Sequence, residues 1–223
     1  MVNVKKGDFI EIQYTGKIKL GNKVFDTSDE KIAKTNKIHN PGIKYGSIIV
    51  CIGEKNVLKG LDKDLDGKEI GKDYEVNIST VDAFGPKIPK LMKTVPMSLF
   101  RKQNMNPYPG LQINAEGRIG TVRSVNGGRI ILDFNHPLAG RELIYTYKII
   151  KKIEDVKAKV DSLMDFTISM FGRDNFKTKV EENILKISAK MLLPEPVQKI
   201  FGDKVEELIP EIKKIEFSVE KPK

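Results

Sequence analysis

The sequence predicts an α+β fold in which mostly antiparallel strands surround one short helix. Polar and apolar residues alternate over residues 9–20, 74–80 and 143–149, as they do in half-buried strands. Apolar residues recur at helical spacing over residues 57–65. A proline-rich segment interrupts the strand patterns, and a mixed pattern of helices and strands follows them. The sequence therefore predicts additional small domains.

The first two strands are predicted to form a hairpin. Ile12 and Tyr14 lie on one face of the first strand, Gly21-Asn22 forms the turn, and residues 23–26 return. The short helix that follows is predicted to stop at Asp66-Gly67.

The segment between Pro86 and Phe134 has a different composition. Its five prolines break any long helix or strand, and three of the seven methionines fall in it beside other apolar residues. Residues 118–134 predict strands that Asn126-Gly127-Gly128 joins as a hairpin. We therefore expect a small β-rich module here.

From residue 154 onward the predicted order is helix, strand, strand, helix, strand. Residues 156–164 have helical spacing, and residues 176–189 alternate as two strands. The prolines at 194 and 196 suit the first turn of a second helix, and residues 215–219 alternate as a last strand. This pattern predicts a C-terminal α+β domain.

Length and composition exclude several classes of protein. A chain of 223 residues accommodates one large domain or two to three small ones. We expect a soluble chain with neither signal peptide nor membrane span, because no apolar run is long enough for either. Cys51 is the single cysteine, which indicates a reducing, cytoplasmic location. Abundant Lys, Glu and Ile, with no Trp, are typical of a thermophile.

Motifs for phosphate, metal or proton-transfer chemistry are not found in the sequence. Two histidines, His39 and His136, and one cysteine make a poor metal site, so we expect neither metal nor cofactor. The net charge of +9 raises the alternative of nucleic-acid binding, which predicts tight, steeply salt-dependent association. Because the basic residues are spread along the chain among acidic ones, a solvated surface is favoured over that alternative.

Five short motifs resemble those of FKBP-type peptidyl-prolyl isomerases in their order and spacing. They are Gly7-Asp8, Tyr14-Thr15-Gly16, Val24-Phe25-Asp26-Thr27-Ser28, Val57-Leu58-Lys59-Gly60-Leu61 and Ala83-Phe84-Gly85. Residues 135–140, Asn-His-Pro-Leu-Ala-Gly, resemble the motif of members with an insert-in-flap domain, as in SlyD-type proteins. The region from 154 looks like the extension of long-type archaeal members.

The resemblance implies a discontinuous isomerase domain over residues 1–85 and 135–153, with an antiparallel FKBP sheet wrapped on the short helix. Residues 86–134 would be the inserted chaperone domain, and residues 154–223 the C-terminal α+β extension. The implied activity is peptidyl-prolyl cis-trans isomerisation combined with chaperoning of unfolded polypeptides. The alternative is a catalytically weak holdase that binds exposed apolar segments.

The resemblance also implies the site residues. Those expected to act in catalysis are Tyr14, Phe25, Asp26, Leu58, Phe84 and Tyr145, and those expected to bind substrate beside them are Ile48, Val57 and Leu61. The Leu58 N–H is expected to hold a substrate carbonyl, while Asp26 and Tyr14 shape the polar edge. The sequence departs from the family pattern at Phe84, which replaces the usual tyrosine. It departs also at Leu61, where many relatives have tryptophan.

The inserted segment is expected to bind unfolded polypeptide through flexible, polarizable side chains. The residues expected to do so are Met92, Met97, Leu99, Phe100 and Met105. The alternative is that its methionines only fill a small core.

The extension has more apolar residues than a domain of its size can easily cover. They are Phe166, Phe171, Phe176, Ile184, Ile187, Leu192, Leu193, Phe201, Phe217 and Val219. We therefore predict a homodimer through residues 154–223, with a third client-binding surface on a monomer as the alternative. The expected partners are unfolded or nascent polypeptides that contain proline.

Overall fold

A computed structural model of the protein describes residues 3–115, 117–168, 171–190 and 193–219. The chain forms two compact units. Residues up to Ile78 and from Leu143 onward make the first unit, and residues from Ser79 to Glu142 make the second. The second unit therefore begins before, and ends after, the predicted insert at 86–134. The predicted extension belongs to the same compact unit as the strands of the predicted isomerase domain.

The strands and helices follow one another in this order along the chain: β1 (Phe9–Ile18), β2 (Lys23–Thr27), α1 (Glu30–Thr35), β3 (Ile48–Cys51), α2 (Lys59–Leu65), β4 (Asp73–Ile78), β5 (Met92–Pro96), α3 (Met97–Lys102), β6 (Gln112–Ala115), β7 (Arg118–Asn126), β8 (Arg129–Asp133), β9 (Leu143–Lys152), α4 (Val156–Thr167), β10 (Phe176–Glu181), β11 (Ile184–Ala189), α5 (Glu195–Leu208) and β12 (Lys214–Val219). Short 3₁₀ turns occupy Pro89–Leu91 and Arg173–Asn175. The prediction of an α+β fold is confirmed.

The main sheet of the first unit has the strand order β2-β1-β9-β4, and β3 also pairs with β1. Every pairing in it is antiparallel. Helix α2 buries Leu61 and Leu65 completely, and the Tyr147 hydroxyl on β9 donates to Asp64 Oδ2 at 2.6 Å. Apolar burial and this hydrogen bond hold the short helix on the sheet, as predicted.

The extension, residues 154–219, carries a second sheet in the order β10-β11-β12. Strands β10 and β11 form a hairpin whose turn residues Glu182 and Asn183 both adopt positive φ. Strand β12 runs parallel to β11, because α5 carries the chain back along the sheet before β12 begins. The predicted order of helices and strands is confirmed, while the parallel pairing was not foreseen.

The extension packs onto β3 and shares an apolar core with the main sheet. Val160 and Leu163 on α4 belong to the same buried cluster as Phe9 and Cys51. Ser162 Oγ on α4 donates to the backbone carbonyl of Ile49 at 2.7 Å. Helix α4 therefore covers the side of β3 that would otherwise face water.

Most of the apolar residues behind the homodimer prediction are covered within the chain. Phe176, Ile187, Leu193 and Phe201 are at most 4% exposed. The two exposed members of that set among the described residues are Phe166 and Val219, with 41% and 50% of their surface accessible. Leu192, another member, lies outside the described residues. The homodimer stays a prediction, with little uncovered apolar surface to support it.

The second unit is a four-stranded antiparallel sheet in the order β5-β8-β7-β6. Gly127 and Gly128, both at positive φ, form the predicted turn between β7 and β8. Helix α3 buries Phe100 against a small core of Val122, Ile130 and Leu132. Across both units, none of the described helices is long and apolar enough to cross a membrane.

Candidate isomerase cleft and polypeptide groove

Three aromatic rings of the first unit meet beside β1. Gly16 on β1 lies opposite Asp26 on β2 and opposite Tyr145 on β9. The Tyr145 ring is 3% exposed and lies 5.8 Å from the Tyr14 ring, centroid to centroid. The Phe25 ring meets it edge-on at 5.9 Å. Two of the residues predicted for catalysis, Tyr14 and Phe25, therefore lie against the ring of a third, Tyr145.

Gly16 permits this close approach of the rings. A Cβ at this position would lie 2.9 Å from Cζ of Phe25 and 2.9 Å from Cζ of Tyr145, well inside van der Waals contact. The glycine of the Tyr-Thr-Gly motif is thus explained by packing: any larger residue would push the two rings apart.

The polar edge of the ring cluster is a single hydrogen bond. The Tyr14 hydroxyl donates to Asp26 Oδ2 at 3.2 Å, and the Tyr14 backbone is fixed by Ser28, whose Oγ accepts from its N–H at 2.9 Å. Burial, together with the negative charge of Asp26, raises the pKa of Tyr14 and of Tyr145 well above the ordinary phenol value. Both rings therefore carry neutral hydroxyls in ordinary buffers.

The remaining predicted cleft residues of the first unit lie on β3 and at the start of α2. Leu61 is completely buried, whereas Ile48, Val57 and Leu58 are half-buried and retain accessible surface. Leu58 directly precedes α2, where backbone N–H groups have no acceptor within the helix. A substrate carbonyl is a suitable acceptor for such a group. That the Leu58 N–H binds one stays a prediction.

The loop before Val57 is shaped by a buried carboxylate. Asp62 on α2 accepts from the N–H of Gly53 at 3.0 Å and from that of Lys55 at 3.2 Å. Asn56 Oδ1 accepts from the Cys51 N–H at 2.9 Å. The sequence analysis did not identify Asp62, because an acidic residue in a short helix gives no indication that it is buried.

Phe84 belongs to the second unit, where its ring stacks on His136 with centroids 4.2 Å apart and planes 8° from parallel. His136 Nδ1 also accepts from the Leu138 N–H at 3.2 Å. Stacking and turn formation account for His136 without metal ligation. The assignment of Phe84 to the cleft stays a prediction.

Asn135, which opens the motif at residues 135–140, joins the two chain segments of the second unit that flank its sheet. Its side-chain oxygen accepts from the Ile88 N–H at 2.8 Å, and its amide donates to the Ile88 carbonyl at 3.2 Å. The same amide donates to Asp133 Oδ1 at 2.8 Å. Asn135 therefore clamps the two chain segments together.

Asp133 is the buried carboxylate of that clamp. Burial alone would raise its pKa, but hydrogen bonds from Lys87 Nζ, 2.5 Å from Oδ2, and from Asn135 outweigh burial and lower the pKa to about 2. Its ionised form therefore stabilises the folded unit. This contribution is complete above the ordinary carboxyl pKa and is lost as the pH falls through about 2.

We expect Asp133→Asn to lower the free energy of unfolding of the second unit by up to about 2 kcal/mol at neutral pH. The difference between wild type and variant should shrink on acidification, to about half near pH 3, because wild-type Asp133 is then partly protonated when unfolded. Urea unfolding followed by NMR signals of the second unit measures this difference. A difference that stays constant from neutral pH to pH 3 would contradict it.

The second unit also holds an open groove of about 450 Å³. Residues from all four strands and from α3 line it, and they include Val95, Leu99, Met105, Ile113 and Phe134. Nine of its thirteen lining residues are apolar, and two of the others, Gln103 and Asn114, offer amide donors and acceptors. Such a groove can accept an apolar side chain while its amides bind an extended backbone.

The five residues predicted to bind polypeptide lie in different places: some line the groove, some pack in the core, and one does neither. Leu99 is 49% exposed and lines the groove together with Met105 and Phe100. Phe100 is only 4% exposed, and Met97 and Met105 pack against the core around it, as the alternative expected of the methionines. Met92 is 40% exposed but does not line the groove.

Several groove residues were missed by the sequence analysis. Ile113, Phe134, Lys93 and Arg118 all line it. The alternation of Lys93 and Val95 along β5 places them on one face, and a search for strand periodicity there could have found them. In the part of the chain that the structure describes, no three His, Cys, Asp or Glu residues are grouped closely enough to hold a metal ion.

Two protein-family models match this chain. The family described as FKBP-type peptidyl-prolyl cis-trans isomerase matches residues 2–99, and the one described as FKBP26, IF domain, matches residues 93–138. The short-type peptidyl-prolyl cis-trans isomerase of Methanocaldococcus jannaschii is 33% identical over 150 residues, which are 67% of this chain and 94% of that protein.

Two bacterial proteins are similar over shorter stretches. The probable FKBP-type 16 kDa peptidyl-prolyl cis-trans isomerase of Pseudomonas fluorescens is 34% identical over 48% of this chain and 71% of its own length. SlyD of Haemophilus influenzae is 30% identical over 44% of this chain. The match spans about half of the SlyD protein, 53% of its length.

Proposed function

The chain belongs to the FKBP-type peptidyl-prolyl cis-trans isomerases, and on that premise we propose how its two units divide the work. The ring cluster of Tyr14, Phe25 and Tyr145, with Asp26 at its edge, rotates X-Pro bonds. The groove of the second unit holds the unfolded polypeptide that carries them. The observation that carries this proposal is the presence, in one chain, of an aromatic cluster around the buried Tyr145 and of a separate open apolar groove.

The chemistry of the cleft follows from the nature of the barrier. Rotation about an X-Pro bond is opposed by about 18–20 kcal/mol of amide resonance in the general case. The twisted amide has lost that resonance and is less polar than the planar one, so a water-poor aromatic surface favours it. Neutral Tyr14 and Tyr145 supply such a surface. No covalent bond to the enzyme is needed.

Asp26 has a positioning task in this proposal. By accepting the Tyr14 hydroxyl hydrogen it fixes the orientation of that ring against Tyr145. The Leu58 N–H would hold a carbonyl of the substrate. Together they would orient the prolyl bond over the rings, which lowers the entropic part of the barrier.

The groove would act by raising the local concentration of prolines near the cleft. A segment bound at one site presents its neighbouring residues to a second site as if at millimolar concentration. Isomerisation of a long unfolded chain should then exceed that of a short peptide which cannot reach the groove. We further propose a cytoplasmic location, supported by the single, fully buried Cys51.

The test measures the same preparation on two substrates. We expect it to accelerate cis-trans exchange of a proline tetrapeptide, followed by NMR, and the proline-limited refolding of an unfolded protein. The acceleration should be greater for the protein substrate, since only that substrate can occupy both sites. No acceleration of either substrate would contradict the proposed activity, and equal acceleration would argue against a role for the groove.

A further inference from the structure

The positive charge of the chain is concentrated in the second unit. Residues 79–142 contain nine Lys and Arg against four Asp and Glu, a net charge of +5 out of the total of +9. Five of the six arginines of the chain lie there. Residues 154–223, by contrast, contain one more acidic than basic residue. A solvated surface with evenly mixed charges does not describe this unit.

One of the four acidic residues of the unit, Asp133, is internal. Asp133 is 6% exposed, and Lys87, Asn135 and Arg123 surround it, with Arg123 Nε 3.9 Å from Oδ2. Its negative charge therefore offsets the charge of Lys87 within the clamp and not that of the other basic residues of the unit. The other basic residues of the unit, such as Lys93 and Arg118, are exposed.

Two of these cations belong to the groove itself. Lys93, on β5, lies with Nζ 5.9 Å from the centre of the Phe134 ring, and Arg118 begins β7. Both line the groove, and no carboxylate is among the described residues that do so. A segment lying in the groove would thus place its side chains on an apolar floor and its flanks beside positive charge.

We propose that the groove selects extended apolar segments flanked by acidic residues. This rests on the proposed function and specifies its substrate class. Attraction between exposed charges is modest for each pair, but it adds to the apolar contact and disfavours basic clients. Acidic unfolded chains are the clients that this charge pattern fits.

Nucleic acid is a different partner for a basic surface, and the groove favours polypeptide. Binding of single strands relies on accessible aromatic faces for base stacking. In the groove, Phe100 is buried, and the Phe134 ring lies over Gly120, where a Cβ would be only 2.7 Å from its Cε1. The rest of the apolar lining is aliphatic or methionine.

The experiment uses the full chain and three peptides that share one apolar core and carry glutamate, serine or lysine flanks. Fluorescence anisotropy gives their affinities at low salt and at about 0.5 M salt, where exposed charges are largely screened. We expect the glutamate peptide to bind about tenfold more tightly than the serine peptide and the lysine peptide more weakly. At high salt the three peptides should bind with similar affinities.

Charge-reversal variants test whether Lys93 and Arg118 cause the preference for acidic flanks. The double variant Lys93→Glu, Arg118→Glu should reverse the order of the glutamate and lysine peptides. Arg129→Glu, an exposed position of β8 outside the groove lining, changes the charge of the same unit and should preserve the order. Equal binding of all three peptides would overturn the charge selectivity and leave the groove function standing. Binding of none would overturn the groove function itself.

Two further probes test the nature of the partner. Polyglutamate without apolar residues should bind at least tenfold more weakly than the glutamate-flanked peptide, since it leaves the apolar floor uncovered. A short oligouridylate should neither match that peptide in affinity nor displace it. Tight, competitive oligonucleotide binding would overturn the proposal in favour of a nucleic-acid surface.

Discussion

Asp26→Ala should reduce the exchange rate of a short proline peptide by about ten- to a hundredfold. The carboxylate accepts the Tyr14 hydroxyl hydrogen, and hydrogen bonds to charged groups contribute about 1.5–3 kcal/mol. Without it, the Tyr14 ring is free to leave its place against Tyr145, and the polar edge of the cleft is lost. NMR exchange spectroscopy at saturating and limiting peptide concentration separates the loss of turnover from the loss of binding.

Two comparisons make this result specific. Asp26→Asn keeps an acceptor for Tyr14, and should retain more activity than the alanine variant. Asp73→Ala removes an equal charge from β4, where the carboxylate is 83% exposed and pairs only loosely with Lys148 at 3.4 Å, and should leave exchange unchanged. A folded Asp26→Ala protein with wild-type exchange would show that the ring cluster is a packing feature and not the isomerase site.

Removal of the groove should impair catalysis on an unfolded protein and largely spare catalysis on a short peptide. Replacing residues 89–132 by a short Gly-Ser loop keeps Lys87, Ile88, Asp133 and Asn135, so the clamp that joins the two chain segments is retained. Proline-limited refolding should then be catalysed about a hundredfold less well, because the local concentration of client is lost. Exchange of a tetrapeptide should change by no more than a few-fold.

The control for this deletion is a folded protein with a blocked groove. Leu99→Asp places an unpaired negative charge at an exposed position of α3 that lines the groove, and the variant should also lose refolding activity selectively. Urea unfolding of each variant verifies that the first unit is intact. If peptide exchange and refolding fell equally in both variants, the second unit would be a structural support and not a client site.

The fold could be predicted largely because its patterns are local. Strand alternation, helical spacing and turn residues such as Gly127-Gly128 act within a few residues of each other, so the order of elements followed from the sequence. The parallel pairing of β11 and β12 could not be predicted, because it depends on where α5 returns the chain. The shared core of Phe9, Cys51 and α4 was missed for the same reason, since no local pattern records contacts between distant segments.

The site was predictable to a different extent in each unit. Tyr14, Phe25, Asp26 and Tyr145 followed from family motifs, and the structure brings them into contact. In the second unit, composition identified the methionines but could not say which of them face outward. Burial of a methionine depends on how the helix, strands and loops of the unit pack together, and this is a tertiary property.

The packing of α4 against β3 has a consequence for truncated forms of the chain. A chain cut before α4 would leave Phe9, Ile49 and Cys51 bordering on water, because these residues pack in the same apolar cluster as α4. The uncovered apolar strand would then favour aggregation. The extension therefore protects the main sheet even if it binds no partner.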